Sequence, residues 1–329
     1  MLNIYRPLAR NRDFLISLAG RCASRFGDEV AVVALTLRLQ AAGGRPYLIA
    51  LLLAAGLVPS IAAAGTVGRV ADSVDSRRVL VTAAVAQACC CVPLIFVHQV
   101  AVMIVLVAVL GTGAAFSQAT WQALIPRAVG EENIGTATAV QQATFTVATI
   151  LAPAVGGILA AAFGTGVPLA LDAITFGAMA VAAVAIRTRR GGSRAAQGAE
   201  AAQGTPAEPG AQRDTAGGWA ALRSDPLLAP LVAGLTAFVL LGMMTNVVQV
   251  FLVRETLHAS AAWFGGLEAI TMAGLACGVL ACGRITTDAA RAWAVAAGAA
   301  IMSLAMLAFG LAPAILLLVP LAVLVGSGS

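Results

Sequence analysis

The chain has 329 residues, of which 60% are hydrophobic and 11% charged, with a mean hydropathy of +0.92. Soluble domains average about 45–50% apolar and about 25% charged residues. Twenty basic and fifteen acidic side chains are too few to cover a water-soluble particle of this size. The composition therefore excludes an ordinary cytosolic enzyme, a secreted disulfide scaffold and a disordered regulator, and makes lipid the solvent for most of the chain.

A membrane-crossing helix needs about 20 predominantly apolar residues. In chain order the predicted spans are Phe14–Leu37, Tyr47–Val67, Val79–Val97, Val100–Leu124, Ala137–Phe163, Val167–Ile186, Leu227–Val253, Ala261–Cys282, Ala292–Leu311 and one from Ala314 onward. That is nine complete spans and a tenth cut short at Ser329. The stretch 191–220 is rich in Gly, Ala, Gln, Arg and Pro without an apolar run, and reads as a flexible linker. It separates an N-terminal six-helix bundle, 1–190, from an incomplete second bundle of about four helices, 221–329. Spans two and eight end alike, in Gly68-Arg69 and Gly283-Arg284 with an aspartate nearby, as parallel repeats would.

The basic excess, +5 net, is entirely arginine. The arginines are scattered among apolar runs, which speaks for loops facing anionic lipid and against nucleic acid. The N-terminus and the connections after spans two, four, six and eight carry arginine, while His98-Gln99, Gly164–Gly166 and Ala312-Pro313 carry none. Arginine marks cytoplasmic loops, so the N-terminus is expected in the cytoplasm of a cell with the chain in its inner (plasma) membrane. Arg38, Arg45 and Arg254 are exceptions. The six cysteines lie in apolar stretches without a zinc-like spacing, so neither metal nor cofactor is expected. Metalloprotease, nucleophile-elbow and phosphate-loop motifs are absent from the sequence, so no enzyme activity is expected.

Several local patterns together resemble the major facilitator superfamily, closest to its bacterial drug, macrolide and siderophore exporters. They are Asn11-Arg12-Asp13-Phe14, Gly27-Asp28, the loop Gly68 to Arg78, Leu124-Ile125-Pro126, Ala152-Pro153 to Gly156-Gly157, and Leu171-Asp172 with Phe176. The resemblance implies an all-α polytopic bundle of two pseudo-repeated six-helix halves around a central cavity, with the second half truncated here. The loop after span two resembles the superfamily's gating signature through Gly68, Asp72, Arg77 and Arg78, with Ser73 where a basic residue is usual. Such a cluster of charges and caps can latch two bundles in one state and release them in another. Pro153, Gly156 and Gly157 in span five resemble the antiporter element of exporters, with Ala152 in place of its first glycine. Proline kinks the helix and the glycine pair permits close contact.

An ionised side chain at the bilayer centre costs at least about 2.5–3.5 kcal/mol, so each must face a cavity or a partner. Span one carries Arg21, Arg25, Asp28 and Glu29. Arg25 shares a helix face with Asp28 and with Glu29. Burial and a neighbouring arginine pull the charge of Asp28 in opposite senses, which suits a residue that takes up and releases a proton. Asp28 is the expected proton-coupling residue, with Glu29 second and Arg25 their partner. Gln118, Gln122, Asn246, Gln249 and Glu268 are candidates for a substrate cavity. Glu268 reads equally as a residue near the water interface, Trp121 as an interface anchor, and Asp172 as structural. The expected function is proton-coupled efflux of a small amphipathic drug or metabolite, with export of a siderophore or other native metabolite, or an inactive transporter fragment, as alternatives. The expected partners are a small-molecule substrate, protons and lipid, and the expected state is a monomer.

Overall fold

The computed structural model of the protein describes residues 8, 10–43, 45–63, 66–67, 70, 74–188, 247–282, 297–298, 300–305, 307–308 and 315–328. Eight α-helices of these residues organise the fold: α1 Arg12–Ala41, α2 Pro46–Ala62, α3 Ser76–Phe96, α4 Val100–Val129, α5 Ile134–Phe163, α6 Gly166–Ala185, α7 Ala261–Cys282 and α8 Ile315–Gly328. No strand occurs among the described residues. The first six helices take the places of the first six predicted spans, α7 that of the eighth and α8 that of the tenth. Residues 247–251 are helical and run into a π-helical turn, Leu252–Thr256, at the end of the seventh span. Most of the seventh span, half of the ninth and the whole linker lie outside the described residues.

Helix ends follow local chemistry. Asn11 caps α1, its side chain accepting the N–H of Phe14 at 3.0 Å. Asp75 caps α3 by accepting the N–H of Arg77 at 2.9 Å. α4 and α5 stop at Gly130 and Gly164, both with φ of +78°, a conformation that glycine adopts without a Cβ penalty. Five described helices are long and apolar enough to cross a membrane: α3, α4, α5 with the short 3₁₀ turn before it, α6 and the first eighteen residues of α7. α1 has the length, thirty residues, but carries Arg21, Arg25, Asp28 and Glu29. α2, at seventeen residues, is shorter than the predicted span.

Large apolar side chains crowd the outer surface, where lipid can solvate them, and several polar side chains are buried alongside the apolar core. Ile61, Phe96, Phe163 and Val181 are each about 70% exposed, whereas Gln87, Thr120 and Asp172 are buried. With no hydrophobic drive between helices in lipid, association depends on close packing of small residues. α1 packs on α5 and α6, α3 on α4 and α6, α2 on α4, α5 on α7, and α7 on α8. A Cβ on Gly20 would lie 2.8 Å from Cβ of Ala182, and one on Gly27 would lie 2.6 Å from Oδ1 of Asp172. These two glycines, two helical turns apart, let α1 lie directly against α6.

Arg38 is not a loop charge. It sits in the last turns of α1, buried, and its guanidinium donates to the carbonyls of Leu94 (2.5 Å), Val97 (3.2 Å) and Ile95 (3.3 Å) and to the Thr165 hydroxyl (2.8 Å). These carbonyls belong to the end of α3, where a helix has no backbone donors left to satisfy them. The side chain caps a neighbouring helix, which explains one exception to the arginine alternation.

Candidate functional site

α1, α3, α4, α5, α6 and α7 enclose a cavity of about 940 Å³, within the range that holds small-molecule ligands. Its wall is rich in amides: Gln87 of α3, Gln118 and Gln122 of α4, and Gln141 and Gln142 of α5. Its charges come from α1, through Arg21, Arg25 and Asp28. Its apolar lining includes Phe145, Met179, Met272 and Leu275.

The charged residues are arranged as the helix period dictates. Arg25 and Glu29, four apart, form an ion pair at 2.7 Å. Arg21 points along the same face as Asp28 but does not pair with it. Its Nη1 donates to Oε1 of Gln141 at 2.5 Å, and its guanidinium lies 5.1 Å from the ring centre of Phe145, a cation–π contact. Asp28 is half-buried on the cavity wall and makes no ion pair among the described residues. It lies within electrostatic reach of Asp172 of α6 as well as of Arg25 and Glu29. Asp172 is itself buried, its carboxylate accepting from the Thr175 hydroxyl and the Cys91 thiol, each at 3.3 Å.

The described contacts between α1–α6 and the later helices gather at the end of the bundle away from the N-terminus. Oε1 of Glu255, in the π turn, accepts from Nε2 of Gln40 at the end of α1 (3.2 Å). The largest apolar cluster joins Leu37, Leu39, Ile49 and Leu94 to Val247, Val250, Phe264 and Leu267. The two clusters nearer the N-terminus draw only on residues before 187, among them Phe14, Leu80, Trp121 and Ala137. The cavity lies on that N-terminal side of the shared cluster. There Asp13 ties α1 to α6 by accepting from the N–H groups of Arg187 (3.1 Å) and Thr188 (2.8 Å) and from the Thr188 hydroxyl (2.7 Å). Asn11 ties α1 to the end of α4 through the carbonyl of Ala128 (2.5 Å).

Pro153, Gly156 and Gly157 are all buried in α5, beyond the cavity. The two glycines serve different neighbours, since consecutive helical residues point about 100° apart. A Cβ on Gly156 would lie 3.1 Å from the carbonyl oxygen of Val30 in α1. One on Gly157 would lie 2.7 Å from that of Ala261 and 2.9 Å from Cα of Gly265, both in α7. The backbones of α5 and α7 thus touch. Of the gating residues, Gly68 and Asp72 lie outside the described residues. Arg77 donates through Nη2 to the carbonyl of Val184 in α6, and Arg78 is exposed.

Gln118 and Gln122 line the cavity, as the sequence led us to expect. Gln249 and Glu268 do not: both are buried, Gln249 beside Val250 of the shared apolar cluster and Glu268 beside its Leu267. Asn246 lies outside the described residues. Trp121 is not an interface anchor, being 3% exposed with its ring against the cavity. Sequence reasoning also passed over Gln87 and Phe145. Their membership depends on which face of α3 and α5 turns inward, and uniformly apolar helices do not display that choice in their pattern.

Membrane-crossing helices packed around a polar cavity of small-molecule size define a multi-pass membrane transporter of helical-bundle type. The family model of the Major Facilitator Superfamily matches residues 18–329, and the chain belongs to that superfamily. No curated protein sequence matches the chain. Among solved structures it is similar to a nucleoside transporter (12% identity, TM-score 0.71, covering 96% of this chain and 79% of that one). A bacterial homologue of the human lysosomal transporter Spinster, inward-facing and unoccupied, gives 14% identity and a TM-score of 0.70 over 96% of this chain and 72% of that one. A bacterial homologue of the iron transporter ferroportin, also inward-facing, gives 13% and 0.64 over 96% and 80%. At these identities the likeness is one of fold.

Proposed function

We propose that the protein exports a small amphipathic drug or metabolite in exchange for protons, by alternating access around the cavity described above. The observation that carries this is Asp28: a carboxyl on the cavity wall, without an ion-pair partner among the described residues and within electrostatic reach of a second buried carboxyl. Such a group can hold a proton when the cavity opens to one side and give it up when it opens to the other. Glu29 is committed to Arg25 and serves as the alternative. With the N-terminus in the cytoplasm of a bacterial inner membrane, the closed end of the bundle is the outer one and the cavity corresponds to the inward-facing state. The contact of α5 with α7 at Pro153 and Gly157 is then the outer gate, and Gly68, Asp72, Arg77 and Arg78 form the latch of the opposite end. The chain works as a monomer, with 191–220 as a cytoplasmic linker. A membrane potential supplies about 2.3 kcal/mol per charge per 100 mV, and a pH gradient adds to it.

The test is substrate-dependent proton flux in proteoliposomes under an imposed pH gradient, with a panel of macrolides, dyes and siderophores. Flux that disappears in Asp28→Asn supports the coupling. Flux unchanged in Asp28→Asn removes Asp28 as the proton site.

A further inference from the structure

The cavity has more hydrogen-bond donors than its own walls use. Arg21 offers five N–H groups, of which one bond, to Gln141, is made among the described residues. It is buried and has no carboxylate within ion-pair distance there. Three polar atoms of other lining residues, Nε1 of Trp121, Oγ of Ser117 and Oε1 of Gln87, have no hydrogen-bond partner among the described residues. Their residues are 3%, 4% and 2% exposed, and all three line the cavity. These three atoms are closed off from the cavity by their neighbours, whereas Arg21 lines it with N–H groups to spare, and buried polar groups are nearly always satisfied. The Gln87 amide, for instance, packs against α4, where its Nε2 donates to the carbonyl of Leu110 at 3.3 Å.

The charge balance says what the ligand brings. Arg25 is neutralised by Glu29. Asp28 stands seven residues from Arg21, about 10.5 Å along the helix, so an anion at Arg21 is held away from it. A guanidinium on a cavity wall, with no carboxylate partner among the described residues, is suited to an oxyanion, with two N–H groups to its two oxygens. Phe145, stacked on the same guanidinium, and Met179 offer the adjoining apolar surface.

We propose that the cavity selects amphipathic organic acids, with the carboxylate or comparable oxyanion on Arg21 and the apolar body against Phe145 and Met179. The assignment rests on the cavity being the transport site and deepens the export reading by giving the sign of the substrate's charge. An acid leaving as its anion while a proton enters moves two positive-charge equivalents inward per cycle, so the membrane potential drives the exchange twice over.

Two probes with one aromatic body separate the alternatives: dansylglycine, a carboxylate, and dansylcadaverine, a cation. Binding to the full chain in lipid nanodiscs is read by energy transfer from tryptophan to the dansyl group. The expected result is at least tenfold tighter binding of dansylglycine. Arg21→Gln should lose about tenfold or more for dansylglycine with less than twofold change for dansylcadaverine, and Arg21→Lys should keep part of the preference. Tighter binding of the cation, equal loss of both probes in Arg21→Gln, or saturable binding of neither overturns the proposal. Acid-selective binding in a chain that moves no protons would defeat the coupling reading and leave this site standing. Proton-coupled flux in a chain that prefers the cation would do the reverse.

Discussion

Replacing Gly157 by alanine tests the role of the α5–α7 contact. The new methyl would lie 2.7 Å from the Ala261 carbonyl oxygen, whereas ordinary contact begins at 3.4 Å, so the two backbones must part by about 0.7 Å. Backbone atoms on both sides leave no flexible side chain to absorb the shift. Overpacking of this kind costs about 1–3 kcal/mol, and the cost falls only on the state in which α5 and α7 touch. The equilibrium between closed and open forms of that end should therefore move by about 5- to 150-fold toward opening. Spin labels at Ala42 and His258, both exposed at that end, introduced into a cysteine-free variant, would report the change as a new longer distance. Gly156→Ala is the control: its methyl meets Val30 of α1 at 3.1 Å, within the first six helices, so it should lower thermal stability without changing the distance distribution. An unchanged distribution in Gly157→Ala, or an equal shift in Gly156→Ala, would refute the reasoning.

Arg38→Leu should destabilise the protein by about 3 kcal/mol or more, because three carbonyls at the end of α3 lose a charged donor at once; thermal unfolding in detergent checks this, and Arg38→Lys should recover less than half. Burial pushes the Asp13 carboxyl up, but the Thr188 hydroxyl and N–H, the Arg187 N–H and the nearby Arg12 outweigh it and hold the group below the ordinary carboxylate value. Its contribution to stability is then present above about pH 3.9 and lost as pH falls through the lowered value; Asp13→Asn should flatten that acid limb in a pH series of melting temperatures, by under about 1 kcal/mol because the site is solvent-accessible. Gly27→Ala should lower the melting temperature, since its methyl would meet the Thr175 hydroxyl and Oδ1 of Asp172, and Thr175→Ala in the same chain should restore part of the loss.

Local chemistry was legible in the sequence and long-range partnership was not. The eighth predicted span, Ala261–Cys282, has the bounds of α7 because polar and glycine residues flank an apolar run. The Arg25–Glu29 pair followed from the helix period. The partners of Arg38 are 56 to 127 residues away, and no local pattern announces them. Asp172 faces α1 because Gly27 leaves room for it, a fact of packing. Glu268 and Gln249 are polar residues within apolar helices, and that pattern does not distinguish a cavity wall from the packed core, where both lie. Trp121 lies near a helix end, the position of an interface anchor, but the inward turn of α4 decides its surroundings.

The capping of α3 by Arg38 also constrains how the chain is made. The guanidinium is synthesised 56 residues before the Leu94 carbonyl that it binds. At roughly 5–20 residues per second, α1 exists for several seconds with a charge at one end and nothing to receive it. During that interval the flexible stem can hold the charge at the lipid–water boundary. Only when the third helix arrives can the side chain fold inward. The end of α1 is thus completed by a later part of the chain, and a ribosome stalled before Phe96 would hold a first helix whose last turns have yet to find their place.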